Sequence, residues 1–162
     1  MPLKVKTSMY LFSPSKIRCL AYKEPMMTSD DGVHIYERAE ENRIYTMCVD
    51  VSRGQGIDYH AFSLIDVTEI PYKVVATFRN NKIPPMVLPN LLHRILKEYN
   101  DAYCLIEIND IGGQVADILN YELEYENVLY TANQVGRGQE LSGGFGSSKS
   151  KLGVRTTATV KR

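Results

Sequence analysis

The run Ile44-Tyr45-Thr46-Met47-Cys48-Val49-Asp50-Val51 constrains this chain more than any other feature. It is almost unbroken in its apolar, β-prone character, which is how a strand buried on both faces reads. Asp50 breaks it. A carboxylate at the end of such a strand costs roughly several kcal/mol to desolvate unless something pairs with it. No Lys or Arg lies within the run, and Ser52-Arg53-Gly54-Gln55-Gly56 follows as a flexible turn. Asp50 therefore stands at a strand end from which it can reach a cation. Tyr103-Cys104-Leu105-Ile106-Glu107-Ile108 repeats the situation with Glu107.

The neighbouring segments give these two strands a setting. Residues 1–43 read as a peripheral lead-in, with the turn signal Asp30-Asp31-Gly32 suggesting a hairpin on a sheet edge. Strands are expected over 44–51, 59–67 and 72–78, a meander closed by Arg79-Asn80-Asn81. Pro84 and Pro85 suit a helix start, and Val87, Leu88, Leu91, Leu92, Ile95 and Leu96 form an amphipathic stripe that ends near Tyr99. After the Glu107 strand, Asn109-Asp110 can cap a helix carrying Val115, Ile118 and Leu119, and residues 127–130 look like one more strand. Beyond Thr131 the glycines 136, 138, 143, 144 and 146 read as a mobile loop. Two short strand–helix–strand crossovers imply parallel neighbours. The expected fold is α/β, a ribonuclease H-like mixed sheet with helices on both faces and a peripheral hairpin, although element order alone also suits other α/β folds.

At 162 residues the chain suits one domain, and no apolar run approaches the ~20 residues of a membrane span. Met-Pro-Leu-Lys-Val-Lys is not followed by a signal-peptide core, so a cytoplasmic protein is expected. Cys19, Cys48 and Cys104 show no zinc-ligand spacing, and the latter two sit in apolar runs as small buried hydrophobes. Net charge is zero, but its distribution is uneven. Residues 1–23 are basic without an acid, residues 101–130 hold seven acids and no Lys or Arg, and residues 134–162 are basic apart from Glu140. An acidic middle between basic ends fits a metal site flanked by phosphate-contacting arms, and it equally fits an unevenly charged solvated surface.

Two isolated acids on two strands are what a divalent-ion site requires, because Mg²⁺ takes hard oxygens from one or two carboxylates, water and substrate phosphate. The alternative is that each accepts backbone hydrogen bonds or an ion pair. Asp58 could bind an ion, orient a ligand water or cap the turn. His60, two residues on, shares its face in a regular strand and is a weaker acid/base candidate. Asp110 reads first as a helix cap, and Gly112-Gly113 let the backbone approach another chain closely. His93 reads as structural, and His34 has no partner at ligand spacing. Arg53-Gly54-Gln55-Gly56 is neither GxGxxG nor a Walker loop, and no nucleophile elbow is present.

Val49-Asp50-Val51-Ser52-Arg53-Gly54-Gln55-Gly56-Ile57-Asp58-Tyr59-His60-Ala61 closely resembles the first acidic motif of the nuclease domain in large terminase subunits of tailed bacteriophages. Ile106-Glu107-Ile108-Asn109 with Gly112 resembles the second, and residues 123–128 and Arg155-Thr156-Thr157 are also similar. The likeness covers roughly 44–162, a nuclease domain after the 1–43 lead-in. It implies that Asp50, Glu107 and Asp58 are the catalytic and metal-binding carboxylates, holding Mg²⁺ or Mn²⁺, two ions in the complete site. It implies an endonuclease that cuts concatemeric double-stranded DNA during packaging in the host cytoplasm. Implied partners are the terminase ATPase domain, the portal and the small terminase subunit. The family's third acid has no counterpart up to Arg162 and is expected beyond it. Lys149, Lys151, Arg155 and Lys161 are the expected phosphate contacts. The competing expectation is a non-catalytic DNA-gripping or motor-docking module of the same machine; an actin-like ATPase half would need a second, duplicated domain.

Overall fold

The structure, a computed structural model, describes residues 14–19, 21–133, 139–142 and 150–152. A short helix α1 (Pro14–Arg18) precedes β1 (Met27–Thr28), β2 (His34–Ile35), β3 (Tyr45–Asp50), β4 (His60–Asp66) and β5 (Lys73–Asn80). Helix α2 (Leu88–Glu98), β6 (Tyr103–Ile106) and α3 (Gly112–Asp117) follow, the last running into a π-helical turn at Ile118–Glu122. Strands β1 to β6 form one mixed sheet in the order β1-β2-β5-β4-β3-β6. The meander is antiparallel, and β6 lies parallel to β3. A parallel bridge from Cys104 to Val128 extends that edge. The crossover after β6 leads to a parallel neighbour as expected, whereas the one through α2 joins β5 to a parallel strand that lies beyond β4 and β3.

The hairpin forms at the sheet edge, with Gly32 at φ 86° in its turn and β2 paired to β5. Helix α2 starts at Leu88 rather than at Pro84. Val87 N–H donates to the Pro84 carbonyl in a separate turn, and Pro89 occupies the first helical turn, where its missing N–H forfeits nothing. The helix ends where Asn100 and Asp101 adopt φ 56° and 54°.

One hydrophobic core forms, in which Leu88, Leu92, Ile95, Leu96, Val115 and Leu119 join Met47, Val49, Phe62, Leu64, Cys104 and Ile106. The expectation of helices on both faces is met on this face. On the other, Thr46, Ser63 and Leu105 are half-buried and Cys48 and Asp50 exposed, so β3 is buried on one face only among the described residues. That corrects the reading of Cys48 as buried; Cys104 is fully buried as expected. An apolar run shows that a strand is interior on average, not which side a second layer covers.

The segment expected as a mobile loop contributes β8 (Gln139–Ser142) and β9 (Ser150–Leu152), which flank β7 (Tyr130–Asn133) in a second, antiparallel sheet. Its glycines lie outside the described residues. No helix among the described residues is long and apolar enough to cross a membrane. Leu92, fully buried on α2, tests the core. Leu92→Ala is expected to lower stability by about 2–5 kcal/mol, the cost of lost transfer energy plus a cavity, measured by denaturant unfolding.

Candidate functional site

Register brings the two acids together. Val49 pairs with Ile106 across the parallel β3–β6 ladder, and Glu107 N–H donates to the Val49 carbonyl at 2.9 Å. The ladder's next pair is Asp50 and Glu107, and paired residues project to the same face. The Glu107 carboxyl is near enough to act on that of Asp50 by both charge and hydrogen bonding. Asp50 is exposed over much of its surface, yet its pKa is raised by partial burial of the carboxyl. The Glu107 charge, the hydrogen bond to Glu107 and the Asp58 charge raise it further.

Asp66, at the far end of β4, shows what a structural acid looks like in this protein. Burial pushes its carboxyl up, but bonds from Thr68 and Arg43 outweigh that and hold it below the usual range. The Thr68 N–H donates to it at 2.9 Å and the Arg43 guanidinium at 3.1 Å. Asp50 has no Lys or Arg partner among the described residues, and the charges that raise its pKa are both acids. An adjacent pair of carboxylates is the donor set a hard divalent ion fits.

The surrounding loops hold the pair in place. Asn109 Nδ2 donates to Glu107 Oε1 at 2.6 Å. The start of α3 packs against the end of β6 so closely that a Cβ at Gly112 would lie 1.9 Å from the Glu107 carbonyl oxygen. The close backbone approach expected of Gly112 is thus to this chain's own strand. In the β3–β4 loop, Gly54 (φ 65°) has the Ile83 carbonyl oxygen 2.3 Å from its ideal Cβ position, so a side chain has neither the conformation nor the space there. Ser52 Oγ donates to the Asp58 carbonyl at 3.0 Å, which fixes the loop that carries Asp58.

Two depressions meet at Asp50 and Ala61. The larger, about 530 Å³, includes Asp58, Tyr59, Arg79 and Arg53; the smaller, about 300 Å³, includes Glu107, Cys48 and Leu105. Asp50 thus shares one depression with Asp58 and the other with Glu107. Among the described residues no three His, Cys, Asp or Glu side chains close into a ligand cluster. The pair fits an ion completed by water and phosphate, with Asp58 on the approach.

His60 does not share the Asp58 face. Its ring is fully buried on the core side of β4, where Nδ1 accepts from Ser52 N–H at 3.1 Å and Nε2 bonds the Ile83 carbonyl at 2.8 Å. Since a carbonyl only accepts, Nε2 carries the proton and the ring is a neutral strut, not an acid/base group. Asp110 does not cap α3, which begins after Ile111 without a side-chain cap. It pairs with Arg53 through two 2.6 Å bonds across the site's rim, and the bond from Arg53 holds its carboxyl below the usual range. His93 packs edge-on to Tyr125, a structural contact as expected. Lys149, Arg155, Lys161 and the side chain of Lys151 lie outside the described residues.

Sequence reasoning did not find Arg79, whose guanidinium lies 3.7 Å from the Tyr59 ring centroid. It also read Arg53 as part of a turn. Only cross-strand register, absent from any local pattern, puts Arg79 in line with Asp50.

A model of the Terminase RNaseH-like domain family matches residues 47–152. Among solved structures, the chain is similar to the large terminase nuclease of thermophilic phage G20c with bound zinc (19% identity, 61% of this chain and 54% of that chain, TM-score 0.51). It is similar also to the same nuclease with bound cobalt (19% identity, 61% and 50%, TM-score 0.52). The chain spans about half the length of these structures, and the likeness to them is one of fold.

Proposed function

This chain belongs to the Terminase RNaseH-like domain family, and we propose that it is a divalent-ion-dependent endonuclease domain that hydrolyses phosphodiester bonds of double-stranded DNA during genome packaging. The observation that carries the reading is the juxtaposition of Asp50 and Glu107 at the ends of neighbouring parallel strands, with like charge raising the Asp50 pKa. The zinc and cobalt bound in the two structures of one nuclease of similar fold support divalent-ion use. Mg²⁺ or Mn²⁺, two ions in the complete site, is the assignment that all-oxygen ligands favour.

Asp50 and Glu107 are the ligands in this reading, and Asp58 is an auxiliary carboxylate that orients water or a second ion from the larger depression. Bound divalent ions supply an activated water and a counter-charge for the leaving oxygen. Asn109 holds Glu107 in orientation through its 2.6 Å bond. The Arg53–Asp110 pair braces the two loops that carry the acids, so the carboxylates are positioned before substrate arrives. The basic residues Lys149, Lys151, Arg155 and Lys161 grip phosphates without reading sequence. The ATPase domain, portal and small subunit of a packaging motor in the host cytoplasm are the partners this assignment carries with it.

Supercoiled-plasmid nicking tests the proposal. Mn²⁺ or Mg²⁺ is expected to support cutting, a chelator to stop it, and Glu107→Gln to reduce it by ~10²-fold or more, the scale of one preorganised electrostatic contribution. Undiminished cutting by Glu107→Gln, or cutting in chelator, would favour a DNA-gripping or docking module and a contaminating nuclease.

A further inference from the structure

The floor of the larger depression is a row of cross-strand partners. Asp50 pairs with Ala61 on β4, and Ala61 pairs with Arg79 on β5. Residues paired in this way project to one face, so Asp50, Ala61 and Arg79 stand in line. Two strand spacings separate the end members, roughly 10 Å between backbones. Ala61 offers only a methyl group, so the space between the acid and the guanidinium stays open.

The Arg79 guanidinium lies 3.7 Å from the ring centroid of Tyr59, which lines the same depression. Such stacking engages the flat face of the fork and leaves its N–H edges free to donate. Among the described residues Arg79 has no carboxylate within ion-pair distance. The other rim guanidinium differs. Arg53 spends Nε and Nη2 on Asp110 at 2.6 Å each. Arg79 is thus a cation held in place by an aromatic ring, beside an acid site, with its donors uncommitted among the described residues.

Resting on the nuclease reading, we propose that Arg79, perched on Tyr59, binds a backbone phosphate of the DNA strand being cut, displaced from the phosphate at the Asp50–Glu107 pair. A span of roughly 10 Å between backbones, with side chains reaching the same way, suits a phosphate close by on the same strand. Arg79 therefore takes a phosphate one or two nucleotides from the scissile one and fixes the strand's register over the carboxylates. Recognition is of phosphate rather than base, because the fork donates to anionic oxygens and the Tyr59 ring is covered by the arginine itself.

Salt dependence of duplex binding tests this without catalysis. In chelator, the slope of log affinity against log salt for the full chain and a linear duplex is expected to fall in magnitude by about 0.9 in Arg79→Gln, one phosphate contact. That corresponds to about eightfold weaker binding at 0.1 M salt. Arg79→Lys keeps the charge and is expected to restore the slope. Tyr59→Leu releases the perch, so affinity falls while the slope stays. In Mn²⁺-supported nicking, Arg79→Gln is expected to raise KM more than it lowers kcat. An unchanged slope and KM in Arg79→Gln overturns the inference while wild-type nicking that Glu107→Gln abolishes leaves the nuclease reading standing. A reduced melting temperature with unchanged slope assigns Arg79 to structure and overturns it likewise. A wild-type chain that neither binds nor cuts DNA removes the nuclease reading, and this inference with it.

Discussion

Asp50→Asn is expected to lose divalent-ion-dependent DNA cleavage by ~10²-fold or more while raising the melting temperature of the metal-free protein at neutral pH. The two effects have one cause. Asp50 sits against Glu107 with Asp58 nearby, and in the absence of a cation these charges repel. Asn keeps the shape and removes the repulsion, together with the ligand oxygen. The sign of the pH dependence follows from the raised carboxyl pKa. The folded state holds the Asp50 proton more tightly than the unfolded state, whose value is about 3.9. This contribution to stability is fully present below that unfolded value and is lost as pH rises through the higher folded value. The thermal advantage of Asp50→Asn in chelator should therefore be largest at neutral pH and shrink toward pH 4. Mn²⁺ reverses the order. At a hundredfold excess over its dissociation constant, an ion that binds only the folded state stabilises it by about 2.7 kcal/mol, an increment Asp50→Asn should lack. A variant that melts below wild type in chelator, or that keeps the Mn²⁺ increment, would show that Asp50 is a structural acid like Asp66.

Gly112→Ala should be severely damaging, and Gly113→Ala beside it nearly harmless. At Gly112 the new Cβ lies 1.9 Å from the Glu107 carbonyl oxygen and 3.0 Å from its carbon, so backbone would meet backbone and no side chain could swing aside. At Gly113 the nearest atom is the Ile108 carbonyl oxygen at 4.0 Å, an ordinary contact. Overpacking of this kind costs about 1–3 kcal/mol and occasionally more. Relief requires α3 and the end of β6 to separate, which carries Glu107 away from Asp50. Cleavage should thus fall even at temperatures where Gly112→Ala remains folded. Gly113→Ala should be neutral, or stabilising by about 0.4–1 kcal/mol through a less flexible unfolded chain. Melting curves and Mn²⁺-dependent nicking of the two variants provide the comparison. Equal behaviour would mean that the α3–β6 contact does not position Glu107.

Much of the site's skeleton was legible because local pattern carries it. Asp50 stood out as a carboxylate closing an apolar strand, Glu107 as its repeat, and Gly54 and Gly112 as positions where backbone must turn or approach closely. The meander, the α2 stripe and the Asp30-Asp31-Gly32 hairpin follow from period and turn chemistry in the same way. His60 was harder. Its spacing from Asp58 implied a shared face, but β4 starts only at His60. The loop before it does not keep the alternation of a regular strand. Asp110 matched a helix cap by position, yet Arg53, distant in sequence, takes both its oxygens.

The sequence alone determined where the meander, the α2 stripe and the Glu107 strand lie, and that Asp50 closes an apolar run with no Lys or Arg in it. Those properties depend on neighbours a few residues away, where chain chemistry acts directly. Tertiary structure decided the rest: that β3 is covered on one face, that Asp50 and Glu107 share a face in register, and that Arg79 stands in line with them. Strand register is set by the summed packing of a whole sheet, and a one-residue slip would turn every one of these side chains to the opposite face.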